Sequence, residues 1–122
     1  MNSKFFPASL GLFALGLLVL FLQPAQGAAS QGSAENGKSV YETTCVACHG
    51  NNGKGTIPGA PDFTKKNGPL SKSDFELYIN ITEGFQSPGS AMAMPPNGGN
   101  PDLTAKEIKD VIAYLRAQFE KK

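Results

Sequence analysis

Two cysteines, one histidine and two methionines of the mature region carry most of this chain's capacity for covalent and metal chemistry. Cys45-Val46-Ala47-Cys48-His49 is a C-x-x-C-H run, the attachment signature of c-type haem. On a helix or turn, positions i and i+3 face the same side. Two thiols so placed can add to the two vinyl groups along one side of a porphyrin. His49 then lies under the ring, where its imidazole can bind the iron axially. One covalent haem c is the cofactor this predicts, with Cys45 and Cys48 as its thioether residues and His49 as proximal ligand.

Other chemistries fit these residues less well. A structural zinc usually takes four protein ligands, and adjacent Cys48 and His49 are awkward corners of one tetrahedron. A thioredoxin-like redox pair needs a βαβ setting, and no strand pattern is visible. A plain disulfide suits an exported chain but leaves His49 unexplained. For the sixth position on the iron, a second imidazole is excluded because His49 is the only histidine, and both cysteines are consumed. The thioethers of Met94 and Met92 remain, in Ser90-Ala91-Met92-Ala93-Met94-Pro95-Pro96. Met94 is preferred because Pro95 and Pro96 fix the backbone on its C-terminal side; Met92 is the fallback, and core packing is the competing role for either. A proximal imidazole needs its second nitrogen held, usually by a carbonyl. Pro58 and Pro61 lie downstream, and Pro61 is favoured over an ordinary turn role.

These residues need elements to position them. A helical pattern starts at Ser33 and is expected to run into the cysteine pair, with Gly37 marking close approach by another element. Residues 50–70 hold five Gly, three Asn and three Pro without periodicity and read as loop. Ser73 and Glu76 form a capping-box pair opening a helix over 74–83, with Phe75, Tyr78, Ile79 and Thr82 as its apolar face and Gly84 as its C-terminal glycine. Residues 85–102 read as irregular. Thr104 and Glu107 open a last helix on which Ile108, Val111, Ile112, Leu115 and Phe119 recur at helical spacing. Lys121 and Lys122 suit the negative end of its dipole.

The first 27 residues read as a secretory signal peptide: Lys4, the apolar run from Leu10 to Leu22, then Ala25 and Gly27 at the small positions before a cut. The apolar core is 13 residues long, short of the roughly 20 a membrane span needs. An uncleaved anchor is the alternative reading, and either places residues 28–122 outside the inner membrane. Cleavage leaves 95 residues, with 10 basic and 10 acidic side chains. That size makes a thin core that benefits from a covalent or metal staple. A whole-chain net charge of +1 argues against a nucleic-acid partner.

The mature sequence resembles the small class I cytochromes c. The resemblance rests on Gly37 and Tyr41, Cys45 to His49, Pro61-Asp62-Phe63, Met94-Pro95-Pro96 and Tyr114 in the last helix, in that order along nearly the whole mature chain. It implies an all-α cytochrome c-like fold, three or more helices with long loops enclosing the haem and leaving one edge exposed. The first and last helices are expected to cross, with Gly37 and Tyr41 near Tyr114.

The resulting reading is a periplasmic mono-haem electron carrier, not an enzyme. Its iron, held by His49 and Met94, would cycle between ferric and ferrous states. Its partners are transient redox donors and acceptors, such as quinol-oxidising complexes, periplasmic dehydrogenases, and terminal oxidases or reductases. Membrane contact enters only if the signal segment stays attached. Lys54, Lys65, Lys66 and Lys72 are a candidate docking patch, with an ordinary solvated charge cluster as the rival reading. Two alternatives stand beside the carrier: an open-site haem protein, peroxidase-like or gas-binding, and a cytochrome subunit of a periplasmic dehydrogenase.

Overall fold

The structure is a computed structural model that describes residues 32–120; the expected signal segment and the Lys121–Lys122 end lie outside the described residues. Four α-helices follow in order: α1 (Ala34–Val40), α2 (Val46–His49), α3 (Asp74–Glu83) and α4 (Ala105–Phe119). A short 3-10 turn occurs at Pro69–Ser71 and a tight turn with left-handed residues at Pro96–Gly99. Among the described residues there is no strand, only an isolated antiparallel bridge between Phe85 and Met94.

The helix starts follow from side-chain chemistry. The Ser33 hydroxyl accepts from the Asn36 N–H at 3.3 Å. Ser73 with Glu76, and Thr104 with Glu107, each close a reciprocal capping box that satisfies orphan backbone donors. Gly84 ends α3 at φ 81°, a conformation that costs a side-chain-bearing residue.

The first helix reaches the cysteine pair, but not as one regular α-helix. Tyr41–Cys45 is a π-helical turn between α1 and α2, and the Thr43 hydroxyl donates back to the Ser39 and Val40 carbonyls. Such turns hold one extra residue and often accompany functional sites.

Helix α1 crosses α4 at very close range. A Cβ on Gly37 would run into the Asp110 carbonyl and come within 2.9 Å of Tyr114 Cβ, so only glycine permits this approach. Tyr41 and Tyr114 ring centroids lie 5.3 Å apart, as the resemblance implies. The core gathers on α4 through Ile108, Val111, Ile112, Leu115 and Phe119, with Tyr41, Phe63, Leu70, Leu77 and Leu103 packed around them.

Two expectations need correction. The buried face of α3 is not centred on Phe75, which is 73% exposed; Leu77 is buried, and Ile81 and the expected Tyr78 pack on the core. Phe75 and Leu77 are two residues apart and point away from each other. Periodicity alone allows either of two neighbouring apolar stripes to face inward. Residues 85–102 also hold more structure than expected. Phe85 and Met94 exchange backbone hydrogen bonds of 3.0 and 2.9 Å, and Pro96–Gly99 forms a tight turn in which Asn97 and Gly98 take left-handed φ of 53° and 64°.

Candidate functional site

A cavity of about 550 Å³ lies between the cysteine pair and the methionine segment, within the roughly 300–1,000 Å³ of small-molecule and cofactor sites. Cys45, Cys48, His49, Met92 and Met94 all line it, and the remaining wall is mostly apolar, including Leu77, Ile81 and Leu115. The structure thus brings together all five candidate residues from two segments far apart in sequence.

Cys45 is half-buried, Cys48 is exposed, and neither is in a disulfide. Burial pushes the Cys45 thiol up to about 11, and the neighbouring Cys48 adds to this. Among the described residues, no group of three or more His, Cys, Asp or Glu side chains is arranged to hold a metal ion.

His49 is buried, and burial alone lowers its pKa, keeping the imidazole neutral as a metal ligand must be. Its ring stacks on Phe63, 4.7 Å between centroids and 19° from parallel. Phe63 in turn touches Phe119, and Phe119 touches Tyr41 and Tyr114, so an aromatic file runs from the helix crossing to the imidazole. The loop after the motif is tied back to it. Gly55 and Thr56 N–H groups donate to the His49 and Cys48 carbonyls, and the Thr56 hydroxyl donates to Ala47. The Tyr41 hydroxyl donates to the Gly50 carbonyl at 2.6 Å, and burial drives its pKa up so that it stays a donor.

The expected hydrogen bond from His49 to the Pro61 carbonyl is not formed. Pro61 lines the cavity, but the buried Nδ1 of His49 has no hydrogen-bond partner. The ring is stacked on Phe63. With Nδ1 sealed inside the protein, Nε2 is the nitrogen left to serve the cavity. A buried unsatisfied ring nitrogen is costly in a purely structural histidine. The two thiols, a neutral imidazole, facing thioethers and an apolar chamber together fit a covalently held haem.

The two methionines differ. Met92 is 49% exposed, with its carbonyl accepting from the Ser90 hydroxyl. Met94 is half-buried and has both backbone polar groups pinned by Phe85. Gly84 supports it from behind, because a Cβ there would meet the Met94 carbonyl at 2.6 Å. Among the lysines of the candidate patch, Lys54, Lys65 and Lys66 are exposed. Lys72 is half-buried, with its ammonium 4.1 Å from the centre of the Phe85 ring.

Sequence reasoning missed Phe85 as the partner of Met94, Arg116 as a fastening residue and the buried Asp110. The Asp110 carboxylate accepts from the Ser33 N–H at 2.7 Å and from Lys106 at 2.6 Å. Its signal was a carboxylate set within the apolar stripe of α4.

Residues 34–118 match the protein-family model for Cytochrome c. The chain belongs to the cytochrome c family. Among similar proteins, a cytochrome c-555 of Prosthecochloris aestuarii is 36% identical over 85 residues, spanning 66% of this chain and 82% of that one. A cytochrome c6 of Limnospira maxima is 33% identical over 97 residues, spanning 74% and 98%. The crystal structure of the c-type cytochrome XoxG from Methylobacterium extorquens AM1 superposes with a TM-score of 0.55 at 29% identity. It covers 70% of this chain and 49% of that structure, so this cytochrome spans about half its length. As a cytochrome c with the Cys45–Cys48 pair, the protein carries one covalently bound haem c and works in electron transport rather than catalysis.

Proposed function

We propose that this cytochrome c is an exported, periplasmic one-electron carrier with a closed His49/Met94 site. Residues 1–27 serve as the export signal and 28–122 as the working domain. The observation that carries the proposal is that one apolar cavity gathers Cys45, Cys48 and His49 on one side and a backbone-pinned Met94 on the other.

Bound haem supplies a reversible ferric–ferrous couple, and His/Met ligation sets its potential high relative to bis-imidazole sites. The chain's residues do the rest. Cys45 and Cys48 become thioethers and convert ligand binding into part of the fold. Neutral His49, stacked on Phe63, offers one nitrogen from a fixed plane. Met94 offers a soft sulfur from a segment locked by Phe85 and Pro95. The apolar wall of Leu77, Ile81 and Leu115 excludes water and keeps the environment similar in both oxidation states. Cys48, the exposed member of the pair, marks the edge through which electrons pass to partners docked briefly over a small interface.

Anaerobic carbon monoxide added to the reduced protein tests the closed site. Sluggish or absent binding is expected. Fast, tight binding would instead establish an open iron and a gas-binding or peroxidase-like protein.

A further inference from the structure

Arg116 lies on α4 and is not among the residues lining the cavity. Its guanidinium nevertheless fastens the cavity's wall. Nη1 donates to the Leu70 carbonyl at 2.6 Å, Nη2 donates to the Lys72 carbonyl at 2.7 Å, and Nε donates to Asp74 at 2.7 Å. Three consecutive pieces of chain, the Pro69–Ser71 turn, Lys72 and the start of α3, thus hang from one side chain. Glu120 steadies it from the far side at 2.8 Å.

From that anchored backbone the Lys72 side chain reaches across to the Phe85 ring, 4.1 Å from its centre. Phe85 holds Met94 through both backbone hydrogen bonds. The far end of α3 meets the same place, since Gly84 packs against the Met94 carbonyl and the Pro96 nitrogen. Both ends of α3 therefore belong to one mechanical path, which starts at a fork on α4 and ends at the Met94 backbone.

We propose that Arg116, acting through Lys72 and Phe85, is a positioning residue that holds the Met94 segment closed against the haem iron. The proposal rests on Met94 being the distal ligand. A planar fork satisfying two carbonyls and a carboxylate cannot be reproduced by an ammonium. A cation facing an aromatic ring contributes an attraction that an aliphatic side chain lacks. Loosening either link raises the population in which the segment swings away and the sulfur leaves the iron, a local opening that need not unfold the helices.

The test uses imidazole as an external ligand for the ferric holoprotein, which binds only after the sulfur departs. Arg116→Lys and Lys72→Leu are each expected to raise the imidazole association rate about fivefold. The double variant Lys72→Leu with Phe85→Leu is expected to exceed neither single change appreciably, because both break one contact. Ile112→Val, which trims the core on the same helix, is the control for general destabilisation. It should lower the melting temperature and leave the imidazole rate unchanged. If Arg116→Lys and Lys72→Leu both track the control, the proposal is overturned. Lys72→Leu keeps every backbone contact, so it decides the matter even if Arg116→Lys fails to accumulate. A Met94→Ala protein that retains the sulfur-to-iron charge-transfer band removes the ligand reading and the proposal with it. A band lost in Met94→Ala alongside unchanged imidazole rates removes only the proposal.

Discussion

At the crossing of α1 and α4, Tyr41, Ile108 and Val111 lose nearly all contact with water, at 1–2% exposure. Across the cavity, Met94 is only half-buried, and Met92 and Phe85 are 49% and 37% exposed. The crossing is held by apolar burial and by a glycine-sized gap. The methionine segment is held by two backbone hydrogen bonds, a turn and an ammonium over a ring. The first region supplies stability, and the second supplies a ligand on a hinge that can be tuned. The Arg116 fork on α4 ties the two regions from one side, and a haem bound between them would join them through its ligands. His49 belongs to the first region through Phe63 and Phe119, and Met94 belongs to the second.

The comparison is broken most completely by removing the join. Cys45→Ala with Cys48→Ala should abolish covalent haem and, with it, most of the folded population; circular dichroism and the absence of Soret absorbance check this together. A colourless protein with the full helical signal would show that the two regions cohere without the cofactor.

Gly37→Val attacks the stable region alone. Its side chain would collide with the Asp110 carbonyl, and a cost of about 3 kcal/mol or more is expected in denaturant unfolding. Haem attachment in whatever protein survives should be unchanged.

Asp110→Asn sharpens the same region more gently. Lys106, then the Ser33 N–H, holds the Asp110 carboxyl below the usual carboxylate range. A depressed folded-state pKa gives stability that is present above the unfolded pKa, near 4, and is lost as pH falls through the folded value. The substitution should cost about 1 kcal/mol at pH 7 and flatten the acid limb of the stability curve below about pH 4. An acid limb identical to that of the unsubstituted protein would show that Asp110 has no part in it.

The stable region was the legible one. Capping boxes at Ser73/Glu76 and Thr104/Glu107, the periodicity of α4, and the C-x-x-C-H run are local patterns whose physics is complete within a few residues. Gly37 also announced a close approach, though not that Asp110 and Tyr114 would be on the other side. The second region was legible only in outline. Phe85 and Met94 pair across nine positions without alternating hydrophobicity, because a single bridge needs none. Arg116 reads as one more basic residue near a helix end, and its fork meets carbonyls more than forty residues away. The α3 face was misassigned because Phe75 and Leu77 each head a plausible stripe, and only the cavity decides which one turns inward. The Pro61 carbonyl followed from a general need of proximal imidazoles; Pro61 does line the cavity, while the Nδ1 of His49 is left without a partner.

The contrast between a pinned Met94 and an exposed Met92 is tested most directly by the oxidised absorption spectrum of two variants. Met94→Ala should lose the sulfur-to-iron charge-transfer band and lower the midpoint potential, while Met92→Ala keeps both and changes stability by less than about 0.5 kcal/mol. The reverse pattern, with the band surviving in Met94→Ala and vanishing in Met92→Ala, would contradict the site described above.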